Sequence, residues 1–587
     1  MKKLYFTLSM GLFVSLHSQT VLPSGLSGLT TENYVYSRTY LDSTATSSTG
    51  VQQIQSVTYY DGLGRPKQSV AVKATAKGND LVSIIPYDGF GRQVKSYLPV
   101  SMVSKDGGIQ ALDTIGVVSY YTTSPNSTTK DFDLIDANPF SHKILESSPL
   151  DRMQKQIQPG AAWSTKPVAF EYETNISTEV YKFITSTTWS NNATLSVLKL
   201  APATDTTSIS NKYKDNQLYK NVVTDEDVNI TTEFKNGEGQ TILVRKNDGI
   251  NDVDTYYVYN EYNQLAFVIP PKAVAVTLPA LFPIKTDPAD STVLANLCYQ
   301  YRYDGQGRLV EKKLPGRDWE YMVYDKQDRL VLTQDGKLRT TDNNFGARGW
   351  LFTKYDKFGR VVYTGFFPNG GSRSSMQGAL NGMQVNAGNN EARTASPTVT
   401  LQGMPLYYDN KGFPTGNKTL LSVNYYDTYP SDMPAVNTME FTRTFLSDQL
   451  QNTVSTQSMP TASYVKNIEN HQWTKAYSFY DGKGRTVGTY SINHLGGFTK
   501  TENFLDFVGV PQRTHTHHQR KSGDDVVQIK ERFVYNANNN ALEKHYHEVV
   551  GKSPEELLSD NTYNEIGQLK TKKVGNNIQE IDYTYNI

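Results

Sequence analysis

The sequence predicts an all-β protein made of repeated antiparallel hairpins, with minor helical insertions. Three observations carry this. A short motif recurs in nearly the same order along the chain, alternating runs flank each copy, and the 587 residues include 39 Tyr and 23 Phe. Strands suit such a surplus, because rings pack on cross-strand neighbours while hydroxyls stay wet. The length exceeds one compact core, so two or more cores or an extended repeat array are expected.

The clear copies of the motif are Tyr60-Asp61-Gly62-Leu63-Gly64-Arg65, Tyr87-Asp88-Gly89-Phe90-Gly91-Arg92, Tyr303-Asp304-Gly305-Gln306-Gly307-Arg308, Tyr355-Asp356-Lys357-Phe358-Gly359-Arg360 and Tyr480-Asp481-Gly482-Lys483-Gly484-Arg485. Weaker copies are Tyr324-Asp325 with Arg329, Tyr408-Asp409 with Gly412, Tyr259-Asn260 with Gln264, and Tyr563-Asn564 with Gly567 and Gln568. Degenerate versions occupy 149–156 and 234–240. Runs such as "CYQYRYD" before the motif and "RLVEKKL" after it read as strand–turn–strand. The Asp accepts from backbone N–H groups two residues on. The second Gly supplies a positive φ for the hairpin loop. Tyr and Arg, at the two ends of the loop, are expected side by side, with the guanidinium on the ring or paired with the Asp. A catalytic pair occurs once per site, whereas a pair stamped out along a chain is architecture. No enzymatic activity is therefore expected.

Composition narrows function further. Lys plus Arg and Asp plus Glu balance at 58 each, so no basic field points to nucleic acid. The N-terminus, "MKKLYFTLSMGLFVSLHSQT", has a two-Lys head, a short apolar run and a small residue at Ser18. It reads as a cleaved signal peptide over 1–18, with Gln19 as the mature start and no transmembrane span left after cleavage. Cys298 is the sole cysteine, so no internal disulfide can form, and its apolar, aromatic setting predicts a packed thiol.

The repeated Tyr-Asp-x-x-Gly-Arg-[Leu/Val] pattern resembles the YD repeat of the bacterial RHS (rearrangement hot spot) proteins. Two longer stretches, 32–100 and 297–339, resemble the secreted Gram-negative branch of that family, the first as its characteristic N-terminal module. The resemblance implies a curved or spiral YD-repeat β-shell that encloses a C-terminal toxic domain, released after self-cleavage by an aspartyl core. No core motif with paired Asp-Pro residues and no toxin tail is recognised here. The chain therefore resembles an N-terminal portion of such a protein, and toxicity and autoproteolysis are not carried over; the expected role is a shell segment that encloses or carries an effector or mediates contact between cells. Expected partners are the remaining RHS repeats or core, or effector cargo, on the same or an adjacent chain. Export to the surface or medium of a Gram-negative bacterium is expected.

The expected organisation is a signal peptide at 1–18 and an N-terminal β-rich module at 19–150. Divergent repeats follow at 151–297, ending in a Pro-rich interruption where Asp290 caps a short helix toward Leu297. A YD-repeat block fills 298–365. An insertion with divergent strands fills 366–475, with a short helix over 376–383. A last repeat block spans 476–587 and ends in "IDYTYNI", which is expected to leave an unpaired strand edge.

Other candidate sites are weaker. His515 and His517 share a strand face and could bind a divalent metal with one further ligand, as a metal-dependent hydrolase would require; a solvated strand face is the alternative. His547-Glu548 begins like a zinc-protease helix but lacks the second His. Asp248, Asn251, Asp252 and Asp254 offer oxygens for calcium without EF-hand spacing. Exposed aromatics such as Trp319 or Trp473 would serve a carbohydrate-binding adhesin that recognises cell-surface glycans. No cofactor is expected.

Overall fold

The computed structural model describes residues 26, 31–41, 53–122, 138–202, 205, 207–209, 211–247, 251–277, 292–383, 388–434, 445–446 and 455–585. The signal peptide and Asp290 lie outside the described residues. The chain is all-β, and most of the strands among the described residues share one antiparallel sheet that closes on itself as a barrel, 26 strands of it described. Barrels much narrower than this already enclose aqueous channels, because diameter grows with strand number. The interior is therefore too wide for wall side chains to fill.

Turn chemistry explains each hairpin. In the copy at Tyr303, Asp304 N donates to Arg308 O (3.0 Å) and Gly307 N to Asp304 O (2.9 Å), while Asp304 Oδ1 accepts from Gln306 N and Arg308 N. Gly307 has a φ of 79°, the left-handed region that glycine enters freely. In weaker copies the same place is filled by Asp328 or Asn263, at φ values of 59° and 60°, the short polar residues that tolerate it. The strand register shifts between Arg302 and Tyr303, and likewise before Tyr60, Tyr324, Tyr355, Tyr480 and Tyr563. Each such bulge adds local twist, and its repetition curves the sheet into a ring.

Two motif copies depart from the expected hairpin. At Tyr87 the turn itself is kept, with Asp88 N donating to Arg92 O at 3.0 Å. Its flanks, however, enter different sheets: Asp80–Ile84 belongs to a separate five-stranded sheet, and Lys95–Tyr97 to the barrel. That turn is the joint between the two. Tyr408-Asp409 forms no YD turn; Tyr408 is buried in the core, and Asp409 Oδ1 accepts from Ala392 N (3.0 Å). A further copy, without the motif's Gly and Arg in sequence, sits at Tyr426-Asp427. Asp427 N donates to Met459 O (3.0 Å) and Ser458 N to Asp427 Oδ1 (2.7 Å), so this turn closes across a loop of about thirty residues, at about 2 kcal/mol more in chain entropy than a four-residue loop.

The wall is padded unevenly. One core gathers Phe234, Tyr256, Phe267 and Cys298 under the 180–218 segment. A larger one gathers Trp350, Tyr363, Tyr408, Tyr425, Tyr464 and Tyr477 around the 373–434 segment, which includes the helix Arg373–Asn381 capped by Ser372. Beyond these, every residue of the strands Val527–Tyr535, Leu542–Val549 and Leu569–Val574 is half-buried. Side chains alternate across a sheet, so both faces of this sector meet solvent.

The unpaired edge expected at "YTYNI" is not present among the described residues. Sheet order places Gln579–Asp582 beside Lys95–Tyr97, closing the ring, and Tyr585 Oη donates to Leu569 O (2.8 Å). A turn of the N-terminal sheet and the helix Thr114–Thr122 brace the same sector. Asn536 Nδ2 donates to Ala76 O (3.2 Å) and Tyr120 Oη to Glu565 Oε2 (3.0 Å). No helix among the described residues is long and apolar enough to cross a membrane.

Candidate functional site

Successive hairpins join at their far ends, so the YD turns line one rim, and their side chains stitch neighbours together. Arg308 pairs with its own Asp304 (Nη2–Oδ2 2.6 Å), as the sequence predicts. Its ring partner is different: the Arg308 guanidinium lies over Tyr324, the tyrosine of the next repeat, 5.0 Å from the centroid. Arg65 over Tyr87 (4.2 Å), Arg329 over Tyr355 (4.9 Å) and Arg360 over Tyr426 (4.4 Å) repeat the arrangement. The tyrosine hydroxyl then donates to the first carbonyl after the previous repeat's arginine. Tyr87 Oη meets Pro66 O (2.9 Å), Tyr324 meets Leu309 O (2.9 Å) and Tyr355 meets Leu330 O (2.7 Å), and Tyr563 makes the matching bond to Leu542 O (2.6 Å), where Ala541 stands in the arginine's place. The motif thus acts between hairpins as much as within them. Spacing inside one copy carries no signal of this.

Where Asp and Arg are replaced by Asn and Gln, an amide pair stands in for the ion pair. Asn260 Nδ2 donates to Gln264 Oε1 (2.9 Å) and Asn564 Nδ2 to Gln568 Oε1 (2.8 Å). Backbone N–H groups hold the Asp carboxylates in their charged form: the Arg65 N–H on Asp61 and the Arg92 N–H on Asp88 keep both below the ordinary carboxylate range.

The strongest electrostatic cluster was not legible in the sequence. Lys354 Nζ, with its side chain 1% exposed, meets Glu391 Oε1 at 2.8 Å. The same oxygen accepts from Tyr363 Oη (2.7 Å) and Gly412 N (2.9 Å). Lys418 is buried alongside, donating to Pro414 O (3.0 Å) and Gly416 O (3.1 Å). Burial, then the nearby Lys354 charge, push the Lys418 ammonium down to about 8. Burial also raises many tyrosines, Tyr59 and Tyr213 to about 12.

These shifts set a pH profile. A base with a depressed folded value binds fewer protons when folded, so stability rises between about pH 8 and its ordinary value near 10.5. Tyrosines with raised values keep protons that the unfolded chain loses, so stability falls above about pH 10. A maximum in urea midpoint between about pH 8 and 10 is expected, and Lys418→Met should flatten its acid-side slope. An unchanged slope in that variant would exclude Lys418 as the source.

The remaining candidates are dispersed. His515 stands opposite Glu502 and Lys530, and His517 opposite Lys500 and Gln528. Among the described residues no group of three or more His, Cys, Asp or Glu is placed to hold a metal ion. His547 and Glu548 lie on the strand Leu542–Val549. Asp248 lies outside the described residues, and Asp252 and Asp254 both pair with Arg245 (3.4 and 2.8 Å). Burial pushes the Cys298 thiol up to about 12. The expected aromatic platforms are half-buried: Trp319 lies under the Arg302 guanidinium at 4.0 Å, and Trp473 packs against the larger core. The exposed tryptophans are instead Trp163 and Trp189.

Residues 32–176 match a protein-family model described as a domain of unknown function (DUF6443). No curated protein matches the chain. Among solved structures, the chain is similar to TcdB2-TccC3 crystallised without its hypervariable C-terminal region, with 12% identity and a TM-score of 0.50, covering 92% of this chain and 20% of that one. A second crystal structure of TcdB2-TccC3 gives 12% identity and a TM-score of 0.50, with 92% and 21% covered. The chain therefore spans about a fifth of the length of these solved chains. Nearly all of it shares their β-fold.

Proposed function

We propose that this chain is a non-enzymatic wall segment of a secreted, RHS-type YD-repeat shell that encloses or carries an effector. The observation that carries this reading is the closed ring of strands with a sector wet on both faces. A wall with a solvated inner face separates a volume from bulk water, whereas a sheet that served only its own stability would bury one face. The similarity to TcdB2-TccC3, one form of which was crystallised without a hypervariable C-terminal region, supports a shell that accompanies a variable segment. The signal peptide expected at 1–18 supports export.

Coexpression with the polypeptide encoded beside it in the source genome tests the proposal. That polypeptide should resist protease when coexpressed with this chain and be digested when alone. Equal digestion in both samples would sink the carrier function.

One cavity favours a second reading, glycan binding. It measures about 580 Å³ at the YD rim and is lined by Phe358, Tyr426, Asn390 and Asp409, the mixture of aromatic face and planar polar groups that a sugar uses. Glycan-array binding lost in Phe358→Ala would support it.

A further inference from the structure

At the end of the sheet away from the YD turns, a cavity of about 360 Å³ opens between strand residues Glu311, Tyr321 and Gln334 and the entry to the helix Arg373–Asn381. Three arginines line it, Arg339, Arg348 and Arg373, against a single acidic residue, Glu311. That carboxylate is already shared. Its Oε1 accepts from Arg373 Nε (2.8 Å) and its Oε2 from Arg302 Nη1 (2.9 Å). One negative charge thus serves two arginines.

Arg373 is 4% exposed, and although Nη2 donates to Asn191 O, its Nη1 has no hydrogen-bond partner. A buried guanidinium nitrogen left unpaired is costly, and so is a buried charge without its counterion. Arg339 stacks on Tyr321 (4.7 Å), with its nearest carboxylate, Asp318, at 4.0 Å. Arg348 is exposed and makes no ion pair among the described residues. The opposite wall is the start of the helix. Ser372 caps it by accepting from Ser375 N (3.2 Å), and no acidic residue stands in its first turn. The N–H groups of Arg373 and Ser374 precede the intrahelical ladder and lack acceptors within the helix, and the helix dipole adds partial positive charge there.

We propose that this cavity binds an oxyanion of the phosphate or sulfate class, carried on a small organic body. Donor-bearing residues meet the cavity from two sides, Arg339 and Arg348 from the 335–349 connection and Arg373 with the serines from the helix start. A tetrahedral anion satisfies donors in several directions at once, whereas a planar carboxylate spends itself on one fork. The volume is roughly ten times the share of one water, so it holds more than the bare anion.

Calorimetric titration of the full chain at low salt, with inorganic phosphate, sulfate and acetate as separate probes, tests the site. Phosphate and sulfate should bind, and acetate should bind at least about tenfold more weakly. Arg348→Ala, at an exposed position, should weaken phosphate binding by about fivefold or more while leaving the unfolding midpoint in phosphate-free buffer unchanged. Ser374→Glu keeps every arginine but puts a carboxylate in the first turn, and it should weaken phosphate binding similarly. Three outcomes would overturn the proposal: no heat with phosphate up to about 10 mM, acetate binding as tightly as phosphate, or both variants binding phosphate like the parent chain.

Discussion

Replacing Glu391 by Ala is expected to destabilise the larger core by about 3–5 kcal/mol, the cost of stranding a buried charge. Lys354, 1% exposed in its side chain, would keep only Asn410 Oδ1, at 3.2 Å, from its pair of oxygen acceptors. Tyr363 Oη and Gly412 N lose the same oxygen. Burial already depresses the Lys354 ammonium, and Glu391 opposes that depression. Without Glu391 the folded-state value falls further, so the deficit should shrink as pH rises and the lysine sheds its proton in both states. The double variant Lys354→Met/Glu391→Leu should recover the part of the loss due to the stranded ammonium, because an apolar pair needs no counterion, but not the part due to Gly412 N, which still lacks its acceptor. Urea midpoints measured at two pH values report all three effects. A Glu391→Ala midpoint within experimental scatter of the parent would show that this pair does not anchor the core.

Asp304 and Arg308 should behave as one unit. Asp304→Asn alone is expected to cost about 2–3 kcal/mol, since the new amide N–H faces the Arg308 donors that now contact the carboxylate at 2.8 and 2.6 Å. Arg308→Gln alone leaves Asp304, 2% exposed, without its cation. The double change reproduces the Asn–Gln pairing that the chain itself uses at Asn260 and Gln264. It should cost less than the sum of the single changes by about 1–2 kcal/mol. It should not be neutral, because Arg308 also stacks on Tyr324 and donates to Asp325 O at 3.2 Å. Strictly additive singles would mean that the two residues act independently, contrary to the geometry.

The parts of this architecture legible in the sequence are those whose causes lie within a few residues. Asp61 and Gly64 close their turn through bonds to Leu63 and Arg65 and a φ of 76°, and residue type dictates both. The helix in the 366–400 stretch was legible only roughly: it is expected over 376–383 but spans Arg373–Asn381, starting at the Ser372 hydroxyl that accepts from the N–H three residues on. The Lys354–Glu391 cluster was not, because its members lie 37 residues apart and Glu391 sits in a Gly- and Asn-rich stretch that reads as exposed. The Arg302 cover over Trp319 was missed similarly, since an aromatic shows its exposure only once neighbouring strands are in register.

By itself, then, the sequence determined that the chain is all-β, that Tyr-Asp-x-x-Gly-Arg makes tight turns, and that these turns repeat. Turn geometry depends on local dihedrals and hydrogen bonds, and those follow from residue type. Only the tertiary structure decided that each arginine serves the next repeat's tyrosine, that the Tyr87 turn divides its flanks between two sheets, and that the strands close into a ring. Those outcomes depend on the twist added at each bulge and on which strand lies alongside which. Closure is the sum of many small rotations, and no single copy of the motif encodes that sum.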